Sequence, residues 1–288
     1  MNWFDLLYKI VPLPVFVFLR NIFRKYQSIR YPRISEAKFK TLLREELGVK
    51  KGMVVFVHSS LDKLNIDFSP IKLLDLLKEA VGEEGTLLFP CWHYKGRAED
   101  FLNQDNAVFN VNKSATTMGL LPELARRSSG AIRSLHPTAS VVAVGKLAYE
   151  LTFEHHLDVY PNGIKSPLYK LMNYDSRIIG LGERVISLSF VHVVEDIMKK
   201  DFPIETLQPE VRNLKVINYD GDEEIVKTLI PSINIAKRDT FKFIKKHVSA
   251  PIHIALKING VNFFSVKPLL FYSKIETLAK EGITIYNS

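Results

Sequence analysis

The sequence predicts an α/β fold: a central sheet covered by helices on both faces, with an antiparallel hairpin layer from the C-terminal third. Three observations predict it. Short, almost wholly apolar runs (Met53–Val57, Thr86–Phe89, Arg177–Leu181) recur before Pro203, as expected of strands buried on both faces. Stretches with helical spacing and end signals alternate with them. Beyond Pro203 the pattern becomes paired strands about Tyr219-Asp220-Gly221-Asp222 and Asn259-Gly260, and Asn-Gly is the strongest short hairpin signal.

The elements follow in order. Ser35 caps a helix that runs to Gly48, with Glu36 in its first turn. Met53–Val57 is a strand ending at His58-Ser59-Ser60. Pro70 suits the first position of a helix that stops at Val81, before Gly82. Thr86–Phe89 is the second strand, and Pro90–Val111 reads as a long polar loop. Met118–Arg127 is a short helix, Ser140–Val144 a strand and Leu147–His155 a helix. Arg177–Leu181 precedes a helix that carries His192. Val211–Asn218 pairs with Glu223–Leu229, and Ile252–Ile258 with Val261–Val266; Leu269–Lys280 closes as a helix. Residues 1–34 form a basic amphipathic segment and 35–288 one domain, divided into a core (35–203) and an antiparallel layer (204–288).

With 288 residues, 47% hydrophobic and 24% charged, the chain can bury a sizeable core. The lone cysteine, Cys91, allows no internal disulfide and fits the reducing cytoplasm. The net charge of +8 is concentrated at one end: residues 1–51 hold eleven Lys/Arg against four Asp/Glu. No basic stripe with interleaved aromatics occurs beyond them, so nucleic acid is not an expected partner.

At the N-terminus the uncharged run Ile10–Leu19 has ten residues, against the ~20 that span a bilayer. No signal peptide is expected there. After Pro14, Val15, Phe18, Leu19, Ile22, Phe23 and Tyr26 share one helical face, opposite Arg20, Asn21, Arg24, Lys25 and Gln27. Two readings stand side by side. Residues 1–33 lie on an anionic membrane surface, or the same face packs on the chain's own core or on a second copy in a homo-oligomer.

The string Phe190-Val191-His192-Val193-Val194-Glu195 places an imidazole and a carboxylate one helical turn apart. Such a pair can take a proton from an attacking amine near neutral pH. Taken alone, it is more easily a satisfied histidine on a helix flank. Cys91 has no helix N-terminus or base beside it in sequence, so a structural role outweighs that of an acyl carrier. His155-His156 with Asp158 is a poor chelate, because adjacent residues point apart; these read as surface histidines, and no metal is expected.

Seven further strings precede that pair in order: Val57-His58-Ser59-Ser60-Leu61, Gly85–Pro90, Thr117–Glu123, Arg133–Ser140, Ser140–Gly145, Lys165–Leu171 and Gly180-Leu181-Gly182. The ordered set resembles the aminoglycoside 3-N-acetyltransferase family, also called the antibiotic N-acetyltransferase family, from about Ser35 to about Pro203. The C-terminal third resembles it more faintly, and residues 1–34 fall outside it. The resemblance implies an N-acetyltransferase that uses acetyl-CoA as co-substrate, without a metal. By carry-over, His58, Ser59, Ser60 and Leu61 contact the coenzyme A arm, and Thr116, Thr117, Met118 and Gly119 meet its phosphates. His192 is the base, oriented by Glu195, and the amine attacks the thioester directly. His136 either lines the site or, with Arg133, braces the loop before Pro137.

The acceptor is expected to be a small-molecule amino sugar. Asp100 and Asp105 lie among Lys95, Arg97 and Lys113, which does not favour a polycation. Together with the N-terminal segment, this points to a nucleotide- or lipid-linked amino sugar of surface polysaccharide biosynthesis. The enzyme would then be cytoplasmic and peripheral on the inner leaflet of the cell membrane. The alternatives are an aminoglycoside-modifying enzyme conferring antibiotic resistance and a non-catalytic membrane-associated binding module.

Overall fold

The computed structural model describes residues 14, 15, 17–19, 22 and 29–287. The Ser35 hydroxyl accepts the Lys38 N–H and starts α1 (Glu36–Thr41), which widens into a π-helical turn over Leu42–Glu46. β1 (Val54–Ser59) leads to α2 (Pro70–Val81), whose first turn is capped by Ser69 and whose end is Gly82 in the left-handed region. β2 (Thr86–Pro90), α3 (Ala98–Leu102), β3 (Val108–Asn110), α4 (Leu120–Arg126), β4 (Ile132–Arg133), β5 (Val141–Gly145), α5 (Ala148–Thr152) and α6 (Pro167–Lys170) follow. β6 (Ser176–Leu181) and α7 (Val191–Met198) complete the part before Pro203. The last third comprises β7 (Arg212–Ile217), β8 (Glu223–Thr228), α8 (Thr240–His247), β9 (His253–Ile258), β10 (Val261–Val266) and α9 (Pro268–Lys280).

Seven strands form the central sheet in the order β4-β5-β2-β1-β6-β10-β9. Its middle, β2-β1-β6, is parallel, and its flanks pair antiparallel. Strand alternation sorts the core into two layers. Val54 and Phe56 face α7 and α9 through Val191, Val194, Phe271 and Ile275. Val55 and Val57 face α1, α2 and α4 through Phe39, Leu73, Leu77 and Leu121. Both faces are therefore helix-covered, as the unbroken apolar runs imply.

Three expectations need correction. The segment 90–111 is not one loop: α3 and β3 lie within it, too short for a periodic signal. Their Phe101, Phe109 and Val111 share a separate small core with Leu214, Val216 and Val226. The two C-terminal hairpins do not make one layer. β7–β8 joins β3 in a second, three-stranded sheet, whereas β10 pairs with β6 and extends the central one. His155 is not on the surface; it is buried against His136, with ring centroids 4.5 Å apart.

Of the N-terminal apolar face, Val15, Phe18, Leu19 and Ile22 are helical and exposed. Phe23, Tyr26 and the cations Arg20, Arg24 and Lys25 lie outside the described residues. No helix among the described residues is long and apolar enough to cross a membrane.

Candidate active site

In an α/β sheet, ligands bind beyond the carboxyl ends of the strands. A cavity of about 690 Å³ lies there, lined by His58 and Ser59 of β1, Pro90 of β2 and Glu183 just past β6. Gly182 makes the turn that delivers Glu183: its φ is +71°, and a Cβ there would meet the Ser60 carbonyl oxygen at 2.6 Å. Apolar lining comes from Trp92, Met118, Ile186 and Leu188.

α7 presents His192 and Glu195 to this cavity. Its Val191, Val193 and Val194 are buried, which fixes the helix and turns the His192 side toward the opening. His192 Nδ1 lies 2.7 Å from Glu195 Oε2. A carboxylate only accepts, so Nδ1 carries the proton and Nε2 keeps its lone pair. The Arg238 Nη1, 3.2 Å from Nε2, donates to that same lone pair, which agrees with this tautomer. Glu195 is buried, and its Oε1 accepts from the Tyr286 hydroxyl at 2.8 Å. Burial and the adjacent Glu195 push the Tyr286 hydroxyl strongly up, so it remains a donor. Asp196, one residue on, takes two N–H bonds from Asn162 on Oδ2, at 2.7 and 3.1 Å. Burial nonetheless raises it to about 7.

Of the residues carried over from the resemblance, His58, Ser59 and Met118 line the cavity with His192 and Glu195. Burial pushes His58 down to about 4, so it is neutral at pH 7. The others are employed elsewhere. The Ser60 N–H bonds the Leu181 carbonyl, and Leu61 packs on the α1–α2 side of the core. The Thr116 and Thr117 hydroxyls hold the carbonyls of Trp92 and Tyr94, shaping the cavity wall from behind. Gly119, at φ +106°, precedes α4 without reaching the cavity.

His136 is a correction. It is fully buried behind Thr138, its Nδ1 accepting the Ala139 N–H at 3.2 Å and its Nε2 lying 3.5 Å from Thr228 Oγ1. Burial holds it well below the usual imidazole range. Arg133 braces the same region, donating to the carbonyls of Cys91 and Ser114 while stacking on Phe109. Thr138 and Ala139 of the same string line the cavity. Cys91 is fully buried and burial pushes its thiol up, which suits a structural role. Sequence reasoning missed Tyr286, Arg238 and Asn162. Each reaches α7 from a distant segment, and no local pattern marks them.

The family model described as aminoglycoside 3-N-acetyltransferase matches residues 56–265. Aminoglycoside N(3)-acetyltransferase IX of Micromonospora chalcea is 31% identical over 173 residues, which is 54% of this chain and 61% of the relative. The match thus spans about three-fifths of that relative's length. The structure of AAC-IIIb in binary complex with CoASH superposes with a TM-score of 0.70 at 19% identity, covering 87% of this chain and 97% of that one. Sisomicin-bound AAC-VIa superposes at 0.71 and 20% identity, covering 88% and 100%. At these identities the structural likeness shows a shared fold.

Proposed function

The chain belongs to the aminoglycoside 3-N-acetyltransferase family, and on that footing we propose that it moves an acetyl group from acetyl-CoA to an amine of an amino sugar. The observation that carries this reading is the His192–Glu195 pair, 2.7 Å apart, with Nε2 facing a cavity at the carboxyl ends of β1, β2 and β6. The apolar lining of Trp92, Met118, Ile186 and Leu188 suits a pantetheine arm, and His58 and Ser59 border it. Acetyl-CoA supplies the thioester carbonyl.

The residues divide the work. Glu195 holds the imidazole with Nδ1 protonated, and Tyr286 fixes the carboxylate from its other oxygen. Nε2 receives the proton that the amine sheds as it bonds to the carbonyl carbon. The same atom returns that proton to the sulfur when the carbon–sulfur bond breaks, leaving an amide and a free thiol. General-base help of this kind contributes a factor of about 10²–10⁴.

The names of the relatives carry aminoglycosides as acceptors and favour that class over the surface-polysaccharide sugar expected from charge alone. The exposed Val15, Phe18, Leu19 and Ile22 support the reading in which residues 1–33 rest on an anionic membrane. The test of the activity is incubation with acetyl-CoA and a panel of aminoglycosides and amino sugars, following thiol release and product mass. An acceptor gaining one acetyl group supports acyl transfer. No turnover across the panel, with coenzyme A failing to bind by calorimetry, refutes it and leaves the non-catalytic alternative.

A further inference from the structure

The cavity carries a surplus of acid. Its lining residues include Glu99, Glu183, Glu195 and Asp196 against Arg97 and Arg238. Arg97 is paired with Glu99, and Glu183 with Lys63. Glu195 and Asp196 meet only neutral partners: His192, Tyr286 and Asn162. The remaining lining cation, Arg238, lies on the base instead, its Nη1 donating to His192 Nε2 at 3.2 Å.

A neutral imidazole has one accepting nitrogen, and the guanidinium covers it. Arg238 is exposed, and this is the one hydrogen bond its side chain makes among the described residues. Uncovering the base therefore requires no repacking of the core. What can uncover it follows from charge. A cationic donor forms a hydrogen bond roughly twice as strong as a neutral one, so water is a poor competitor for Nε2. An aliphatic amine arrives as an ammonium near neutral pH and is drawn toward Glu195 and Asp196. It replaces the guanidinium charge for charge, and the freed side chain swings into solvent.

We propose that Arg238 shields His192 from water until a cationic acceptor displaces it, so that acetyl-CoA bound alone is spared hydrolysis. The inference rests on the acyl-transfer reading. Without the shield, Nε2 takes a proton from water as the water oxygen bonds to the thioester carbonyl carbon. The carbon–sulfur bond then breaks, the proton passes to sulfur, and acetate and coenzyme A leave. Arg238 thus makes the site select an amine over water as the nucleophile.

The test follows thiol and acetate release from acetyl-CoA, with no acceptor present, in the full-length protein. It is compared with Arg238→Met and with Arg238→Met combined with His192→Ala. Arg238→Met should hydrolyse acetyl-CoA about tenfold faster than the unaltered protein, the size of one charge-assisted hydrogen bond at an exposed site. The double variant should return to the unaltered rate or below it, because the water is activated through His192. With acceptor added, KM for sisomicin, or for whichever amine turns over, should fall in Arg238→Met because an internal competitor is gone. Unchanged hydrolysis in Arg238→Met overturns the proposal, as does an increase that persists without His192. A KM that rises also overturns it, since Arg238 would then bind the acceptor. If the unaltered protein transfers acetyl groups and Arg238→Met hydrolyses no faster, this inference falls alone. If the unaltered protein binds no coenzyme A and transfers nothing, the acyl-transfer reading falls and takes this inference with it.

Discussion

The Tyr286 hydroxyl donates to Glu195 Oε1 across 2.8 Å, joining the chain's last described residues to the helix that carries His192. Glu195 is thereby held at both oxygens, and the imidazole keeps one orientation. Tyr286→Phe should cost about 1.5–3 kcal/mol in urea unfolding, as for a bond to a charged group. It should lower turnover less than Glu195→Gln does, because it frees the carboxylate without removing it. Equal activity and stability in Tyr286→Phe would mean the contact is incidental.

His136 should behave as part of a wall. His136→Ala leaves a cavity beside His155 and strips Thr228 and Ala139 of a partner, so stability should fall by about 2–4 kcal/mol. The fraction that stays folded should turn over within a few-fold of normal. A folded His136→Ala protein with activity reduced a thousandfold would return the residue to the site.

That contrast marks how far the sequence could be read. α2 falls at Pro70–Val81 and β10 at Val261–Val266, just where their end signals place them. The His192–Glu195 pair was legible because both members sit on one helical turn. His136 misled because a buried imidazole and a reactive one look alike in a string; only exposure and partners distinguish them. Tyr286 and Arg238 were invisible, since tertiary contacts spanning 91 and 46 positions leave no local trace.

Stability should fall in acid. Unfolded histidines take a proton near 6.5, whereas burial puts His58 and His93 at about 4 and His155 at about 3. The folded state thus binds fewer protons below pH 6.5, and stability present above that pH is lost as pH falls toward 4 and then 3. Each imidazole contributes a slope of about 1.4 kcal/mol per pH unit. Asp196 acts oppositely: raised from 3.8 to about 7, it binds a proton when folded before it does when unfolded. Asp196→Asn should therefore steepen the decline between pH 6.5 and 4. A flat urea midpoint over that range would show that these imidazoles are protonated in the folded protein.

Residues 1–33 hold six Lys/Arg and one Asp, and each cation near an anionic leaflet contributes about 1 kcal/mol, screened by salt. Full-length protein should sediment with phosphatidylserine vesicles, less so at high salt. Protein lacking residues 1–33 should remain in solution and still acetylate a soluble acceptor. If the full chain ignores the vesicles, or the truncation unfolds the body, the segment packs on the protein or on a second copy.

Removing the base tests the account most directly. His192→Ala, assayed by thiol release at saturating acetyl-CoA with any acceptor the unaltered protein turns over, should lose a factor of about 10²–10⁴ in kcat. Its affinity for coenzyme A, measured by calorimetry, should stay the same. A variant that turns over at the normal rate, or one that folds normally but no longer binds coenzyme A, would contradict the assignment of His192 Nε2 as the atom that takes the proton.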